Sequence, residues 1–96
     1  MEKTEISHYQ EKCKTVATGI KNTNDSCRFL ICENSADDGW LLDLLHYRTP
    51  SGKISSNTTF VRKDLAMYLH MLKAEGYEIS VKPKRTKFKV KSTLSV

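Results

Sequence analysis

The sequence predicts an α+β fold: a small antiparallel sheet of three to four strands with two helices packed on one face, in the order α-β-β-(β)-α-β. Two segments repeat apolar residues at three- and four-residue steps, the spacing of a helix face, and other segments alternate apolar with polar residues as strands do. Ninety-six residues are enough for one domain with a modest core. We assign residues 1–82 to this domain and residues 83–96 to a basic C-terminal edge strand or tail.

The first predicted helix runs from about Ile6 to Lys21. Thr4 can cap it, or Ser7 can do so one turn later together with Gln10. The helix is expected to end near Lys21 because the five short polar residues that follow favour a turn. Its apolar stripe consists of Ile6, Tyr9, Cys13, Val16 and Ile20.

The middle of the chain carries two predicted strands and a third segment that is an edge strand or a loop. Residues 27–32 are aromatic and branched, which favours a short buried strand. Residues 40–48 favour a strand because turn-forming residues precede and follow them; the alternative is a leucine-rich helix halted by Pro50. Residues 53–60 are polar and rich in β-branched side chains, as expected of an edge strand or a loop.

The second predicted helix spans about Phe60 to Glu75, with Thr59 as its N-cap and Gly76 as the left-handed residue that ends it. After it, residues 77–82 alternate apolar with polar side chains, which predicts a half-buried strand. The apolar stripe of this helix consists of Val61, Leu65, Tyr68, Leu69 and Leu72.

Read as helix, three strands and helix, this element order resembles that of the double-stranded-RNA-binding domain over roughly two thirds of the chain. In that family the second helix opens with lysines that meet phosphates. The corresponding residues 61–64 include Arg62, Lys63 and the opposing acid Asp64. The resemblance is one of topology, without a matching sequence motif.

Positive charge is concentrated at the C-terminal end of the chain. Residues 82–96 contain six of the sixteen basic residues and no acid, whereas residues 1–81 carry ten basic and eleven acidic residues. Such a segment predicts an acidic partner, nucleic acid or a nucleoprotein complex, whose phosphates the cations neutralise. The alternative is a solvated tail or a charged edge strand that prevents aggregation. The six basic residues are Lys82, Lys84, Arg85, Lys87, Lys89 and Lys91.

An extended conformation would arrange these cations in a row. If residues 85–91 are extended, every second side chain projects from one side at intervals of about 6.8 Å, which suits a phosphate backbone. Phe88 then lies on the other side, or it is exposed and stacks on a base. We expect Arg62 and Lys63 to assist this nucleic-acid surface.

A second candidate surface comprises residues 40–48 and the acidic turn before them. Trp40 and Tyr47 are residue types that anchor protein interfaces, and Asp37 and Asp38 lie in the turn. In a strand, one alternating pair of the four leucines would face away from the core and favour a partner, including a second copy. The alternative function is therefore inhibition of a host protein. The small size and the missing catalytic motif resemble accessory proteins of phages and mobile elements, including anti-defence inhibitors such as anti-CRISPRs.

The motifs of other chemistry are missing, so we expect a protein that is not an enzyme and uses no metal or cofactor. The three cysteines lack zinc-ligand spacing, and the three histidines lie in no nucleophile motif. The acidic turn lacks the later acids of a calcium loop, and no glycine-rich phosphate loop is present. A cytoplasmic location is expected, because the chain has no apolar run of membrane-spanning length, no signal-like start and an odd number of cysteines.

Overall fold

A computed structural model describes residues 4–34 and 39–82. They form one five-stranded antiparallel sheet with two α-helices, which confirms the α+β class, with five strands rather than the expected three to four. A 3-10 turn, Arg62–Asp64, leads into the second helix. The other elements are α1 Glu5–Lys12, β1 Thr15–Lys21, β2 Asn24–Glu33, β3 Leu41–Arg48, β4 Ile54–Val61, α2 Leu65–Ala74 and β5 Tyr77–Val81.

The sheet has the strand order β4-β3-β2-β1-β5, and every neighbouring pair is antiparallel. Strands β1, β2 and β3 each pair with the next strand along the chain, whereas β5 follows α2 and pairs with the other side of β1. Among the described strands, β4 and β5 are therefore the two edges of the sheet. Four strand spacings separate them, a distance of about 19 Å.

The first helix is shorter than predicted. α1 has eight residues, and the second half of the expected helix is strand β1, Thr15–Lys21. Four of the seven residues in β1 are β-branched, which lowers helix propensity, and the strand has hydrogen-bonded neighbours on both sides. Gly19 is required in β1 because the ring of Phe29 occupies the space where a Cβ atom at position 19 would lie. Tertiary pairing thus overrides the helical spacing of the apolar residues.

The two helices pack on opposite faces of the sheet, and not on one face as predicted. The side chains of β2 alternate between two cores: Phe29 and Ile31 belong to the core beneath α2, and Leu30 and Cys32 belong to the core beneath α1. The continuous apolar runs of β2 and β3 supply side chains to both faces, so both faces need a covering helix. The prediction that both helices pack on one face of the sheet is wrong for this reason.

Five other predictions for the elements are confirmed. Residues 40–48 contain strand β3, the segment after it is the edge strand β4, and the alternating residues near the end of the domain form β5. Gly76 ends α2 with a φ of +101°, a conformation that favours glycine. At the other end of the chain, the Thr4 hydroxyl caps α1 by accepting a hydrogen bond from the Ser7 N–H at 3.2 Å.

The start of α2 and the element order differ from the predictions. Thr59 is not an N-cap; it lies within β4, and its hydroxyl donates a hydrogen bond to the carboxylate of Asp43 at 2.7 Å. Four strands, and not three, lie between the two helices, so the element order of the double-stranded-RNA-binding domain is not reproduced. In the described part of the chain, no helix is both long and apolar enough to cross a membrane.

Candidate functional site

The predicted basic segment begins at an anchored corner of the sheet. Lys82 is the first residue of this segment and the last described residue of the chain, and it is exposed. Its backbone N–H donates a hydrogen bond to the carbonyl of Val16 at 2.9 Å, immediately after the paired residues of β5 and β1. The first residue of the basic segment is therefore held in place by the sheet.

Two further lysines lie at this corner. Lys12 is the last residue of α1, Lys14 lies between α1 and β1, and both are exposed. The carbonyl of Lys14 accepts a hydrogen bond from the Glu33 N–H at 2.9 Å, which fixes the backbone there. Lys14 is two residues from Val16, so its Cα lies within about 7 Å of the Cα of that anchoring residue. We call Lys12, Lys14 and Lys82 the basic corner.

Sequence reasoning missed this arrangement because the predicted first helix continued through positions 12 and 14. On a long helix these two lysines would have been ordinary surface residues, far from the last strand. The signal that could have revealed them is the run of β-branched residues from Thr15, which favours a strand over a helix. The remaining predicted nucleic-acid residues of the tail lie outside the described residues: Lys84, Arg85, Lys87, Phe88, Lys89 and Lys91.

Arg62 and Lys63 lie at the other edge of the sheet. They follow β4, whereas Lys82 follows β5, so they lie at opposite edges in the strand order; that they assist the basic segment stays a prediction. The guanidinium group of Arg62 donates hydrogen bonds to the Glu33 carboxylate at 2.7 Å and to the Gly39 carbonyl at 2.6 Å. Its charge is thus paired within the protein, while Lys63 is exposed.

The expected protein interface is only partly at the surface. Trp40 is 75% exposed, whereas Tyr47 is 8% exposed and belongs to the core beneath α1. The carbonyl of Trp40 accepts a hydrogen bond from the Arg62 N–H at 2.8 Å, which fixes the backbone that carries the indole. Asp37 and Asp38 lie outside the described residues.

The leucines of β3 do not form the exposed pair that was expected to favour dimerisation. Leu42 and Leu44 pack in the core beneath α2, and Leu45 packs in the core beneath α1. β3 also has a paired strand on each side. The premise for dimerisation through this segment is therefore wrong, because α1 covers the face that the prediction left open.

Sequence reasoning did not assign a role to Asp43, which is a buried carboxylate at 6% exposure. Its Oδ1 accepts hydrogen bonds from the Asn34 side-chain amide at 3.1 Å and from the Thr59 hydroxyl at 2.7 Å. These bonds join β3 to β4 and to the residue that follows β2. A buried carboxylate with such partners stabilises the structure that positions β4, and the signal in the sequence was a single acid among four leucines.

A cluster of aromatic rings connects β3 with β5 on the α2 side of the sheet. The ring centroid of His46 lies 6.5 Å from that of Phe29 and 6.1 Å from that of Tyr77. Burial lowers the pKa of His46; the nearby Glu75 carboxylate raises this pKa and the Lys21 ammonium group lowers it. Burial is also the main cause that raises the pKa of the Tyr77 phenol. The imidazole therefore favours its neutral form in this cluster.

The cysteines are free thiols, and the described ranges contain no group of three or more side chains that could hold a metal ion. Burial, with smaller contributions from the neighbouring Cys13 and Asp43, raises the pKa of Cys32 to about 12. A thiol with this pKa remains protonated at neutral pH and is a poor nucleophile. Cys27 lies nearer the other end of β2, where its backbone is opposite that of Arg48 in β3. It therefore does not form one site with Cys32.

Comparisons with family models, with curated proteins and with solved structures found no match to this chain. The arguments for function therefore depend on the charge, exposure and strand arrangement of the chain itself.

Proposed function

We propose that this protein is a non-enzymatic binding protein that occupies an acidic macromolecular surface, nucleic acid or a nucleoprotein complex, through its basic C-terminal segment. The observation that carries the proposal is the distribution of charge: six of the sixteen basic residues and no acid occur in residues 82–96. The basic corner supports it, because Lys12 and Lys14 are exposed close to the point where that segment begins.

The rest of the chain offers little net electrostatic attraction to an acidic partner. Residues 1–81 carry ten basic and eleven acidic residues, so this part of the molecule is close to neutral. A phosphate backbone is therefore attracted to one end of the protein. Lysine and arginine side chains that neutralise phosphates release condensed counterions, which gives an affinity that depends little on sequence and falls steeply with salt.

The proposal is tested with two triple variants that remove the same charge from different places. Lys87, Lys89 and Lys91 are changed to Gln in the first variant. Arg48, Lys53 and Lys73, which are exposed on the folded domain, are changed to Gln in the second. Affinity for a labelled duplex and for a single strand of equal length is measured by fluorescence anisotropy at several salt concentrations.

We expect the first variant to bind weakly and the second to bind almost as the unchanged protein does. Each lost phosphate contact should reduce the slope of log affinity against log salt by about 0.9 for duplex DNA and by about 0.7 for a single strand. Equal losses in the two variants would mean that net charge, and not the basic segment, determines binding. That result would contradict the proposal.

A second function, inhibition of a host protein in the manner of anti-defence inhibitors of phages, is proposed because Trp40 is 75% exposed on a backbone fixed by Arg62. Exposed tryptophans often supply much of the binding energy of a protein interface. The test compares Trp40→Ala with a chain truncated before Lys82 in a pull-down from the host. Loss of a bound protein in Trp40→Ala alone supports this function. Loss on truncation alone argues for the basic segment.

A further inference from the structure

Strand β4 forms an edge of the described sheet that is protected against pairing only at its start. There the register with β3 shifts between Ile54 and Ser56, and the Ile54 N–H donates a hydrogen bond to the Glu5 carboxylate at 2.9 Å. Natural edge strands are commonly short, or they carry charged residues or proline that prevent another strand from pairing with them. Ile54–Val61 is eight residues long and contains neither a charged residue nor proline. Five consecutive residues of this strand, 55–59, are exposed serine, asparagine and threonine. The strand is therefore a suitable template for a further strand.

The hydrogen bonds of β4 show which backbone groups face outward. The Arg62 N–H donates to the Trp40 carbonyl at 2.8 Å, and in an antiparallel pair every second residue bonds to the neighbouring strand. Counting back along the register, Phe60 and Thr58 bond to β3. The N–H and C=O groups of the alternate residues, such as Asn57 and Thr59, then point away from β3. None of the described strands pairs with them on that side.

The other edge of the sheet differs in each of these respects. β5 has five residues, it contains Glu78, and the sequence continues with Lys82 and Pro83. Charge, proline and short length all disfavour the addition of a strand to β5. If another strand is added to an edge of the described sheet, we therefore expect it to pair with β4 and not with β5.

We propose that β4 pairs antiparallel with β4 of a second copy of this chain, across a two-fold axis, to give a continuous ten-stranded sheet. A two-fold contact requires a surface that is complementary to itself. An uncharged strand of serine, asparagine and threonine meets this requirement, because no like charges face one another across the axis. Lys53 and Lys63 lie just outside the two ends of the strand, and their charge confines pairing to the segment between them.

The charge distribution favours a second copy over a basic or acidic partner segment. The Glu5 carboxylate lies at the start of β4, but residues 55–61 carry no charged side chain, so this part of the edge offers only backbone pairing and small polar contacts to such a segment. In the paired sheet the two β5 strands lie at opposite ends, about 43 Å apart, so the two basic corners do not repel one another. This inference does not depend on the proposed function, since β4 and the basic corner lie on different edges.

The test uses sedimentation velocity of the full chain over a range of concentrations. We expect a concentration-dependent species of twice the 11.0 kDa mass of one chain. Asn57→Lys and Asn57→Glu each place a charge in the centre of the strand, and each alone should sediment as a monomer. An equimolar mixture of these two variants should recover the dimer, because opposite charges then meet across the axis. Thr58→Lys, on the neighbouring position, serves as an independent blocking variant.

Matched controls are Thr23→Lys and Thr23→Glu, in the exposed turn between β1 and β2. These controls should dimerise as the unchanged chain does. A monomer at every concentration would overturn the inference. So would a dimer that persists in both Asn57→Lys and Thr58→Lys, because the contact would then lie elsewhere. Pairing of β4 with an extended segment of another protein, with this chain remaining monomeric alone, would also contradict it.

Discussion

The two edges of the sheet differ in chemistry although they belong to one small domain. β4 is long and uncharged, whereas β5 is short, contains an acid and leads directly into the basic segment at Lys82. The first edge offers backbone hydrogen-bonding groups, and the second offers positive charge. The two edges are therefore suited to different partners, and binding at one edge need not interfere with binding at the other.

The strands between the edges explain how this separation is maintained. β2 and β3 bury side chains on both faces, so they hold β4 and β1 in a fixed register. β1 in turn carries β5 and the Val16 carbonyl that accepts the hydrogen bond from Lys82. Changes in the middle of the sheet should therefore affect both edges, while changes at one edge should leave the other intact.

The largest expected effect is on nucleic-acid affinity, and it should depend on the basic segment and not on β4. The triple change of Lys87, Lys89 and Lys91 to Gln should lower affinity for nucleic acid on the order of a hundredfold at low salt, because three phosphate contacts are lost. The same variant should retain the sedimentation behaviour of the unchanged chain. Asn57→Lys should show the reverse pattern, with loss of the dimer and unchanged affinity of each chain for a short oligonucleotide that one copy can cover. A variant that changes both nucleic-acid affinity and dimerisation would contradict the independence of the two edges.

A smaller effect, on stability, is expected for Gly19→Ala in β1. The added methyl group would collide with the ring of Phe29, which is fully buried, so we expect a loss of about 3 kcal/mol of unfolding free energy. Urea denaturation followed by circular dichroism measures this loss. Thr18→Ala, one residue away and only half-buried, is the control with a smaller expected change. Equal stability of Gly19→Ala and the unchanged protein would contradict the packing of β1 against β2.

Asp43→Ala should lower the free energy of unfolding by about 2 kcal/mol, because Asp43 helps to hold β4 against β3. The substitution removes two hydrogen bonds to a buried carboxylate, from the Asn34 amide and from the Thr59 hydroxyl, and hydrogen bonds to charged groups are among the stronger ones. Chemical denaturation gives the loss, and amide exchange should show faster opening of β4 than of β5. Asp25→Ala, at an exposed position, should change stability by about 0.5 kcal/mol or less. Uniform acceleration of exchange in both edge strands would argue against a local role for Asp43.

The smallest effect concerns pH. Because the pKa of His46 in the folded protein lies below its ordinary value of 6.5, the unfolded chain takes up this proton first as pH falls. Folding stability should therefore decrease as pH is lowered from about 6.5, and His46→Gln should remove that part of the decrease. Stability measured between neutral and mildly acidic pH checks this. His70→Gln, at an exposed position of α2, is the control. An unchanged pH profile in His46→Gln would contradict the assignment.

Much of the fold could be predicted from local patterns. The period of two after Gly76 and the stripe of the second helix both identified the correct elements, because β5 and α2 contact the rest of the protein on one side. β1 could not be predicted in the same way, since its apolar residues also fit a helical spacing. Its pairing with β2 and β5, and the contact of Gly19 with Phe29, depend on residues that are distant in sequence.

The candidate sites show the same limit. The concentration of charge in residues 82–96 can be read directly from the sequence. The strand order cannot, and it is the strand order that brings Lys14 close to Lys82 and places Arg62 at the other edge. The burial of Tyr47 likewise follows from the packing of α1 on the face of the sheet opposite α2, which was not predicted.

The most direct test of the proposed function is a salt titration of the unchanged protein with a short duplex of nucleic acid. If the six basic residues of the C-terminal segment contact phosphates, log affinity should fall against log salt with a slope of about −5. An affinity that is flat from low to physiological salt would contradict the role of the basic segment.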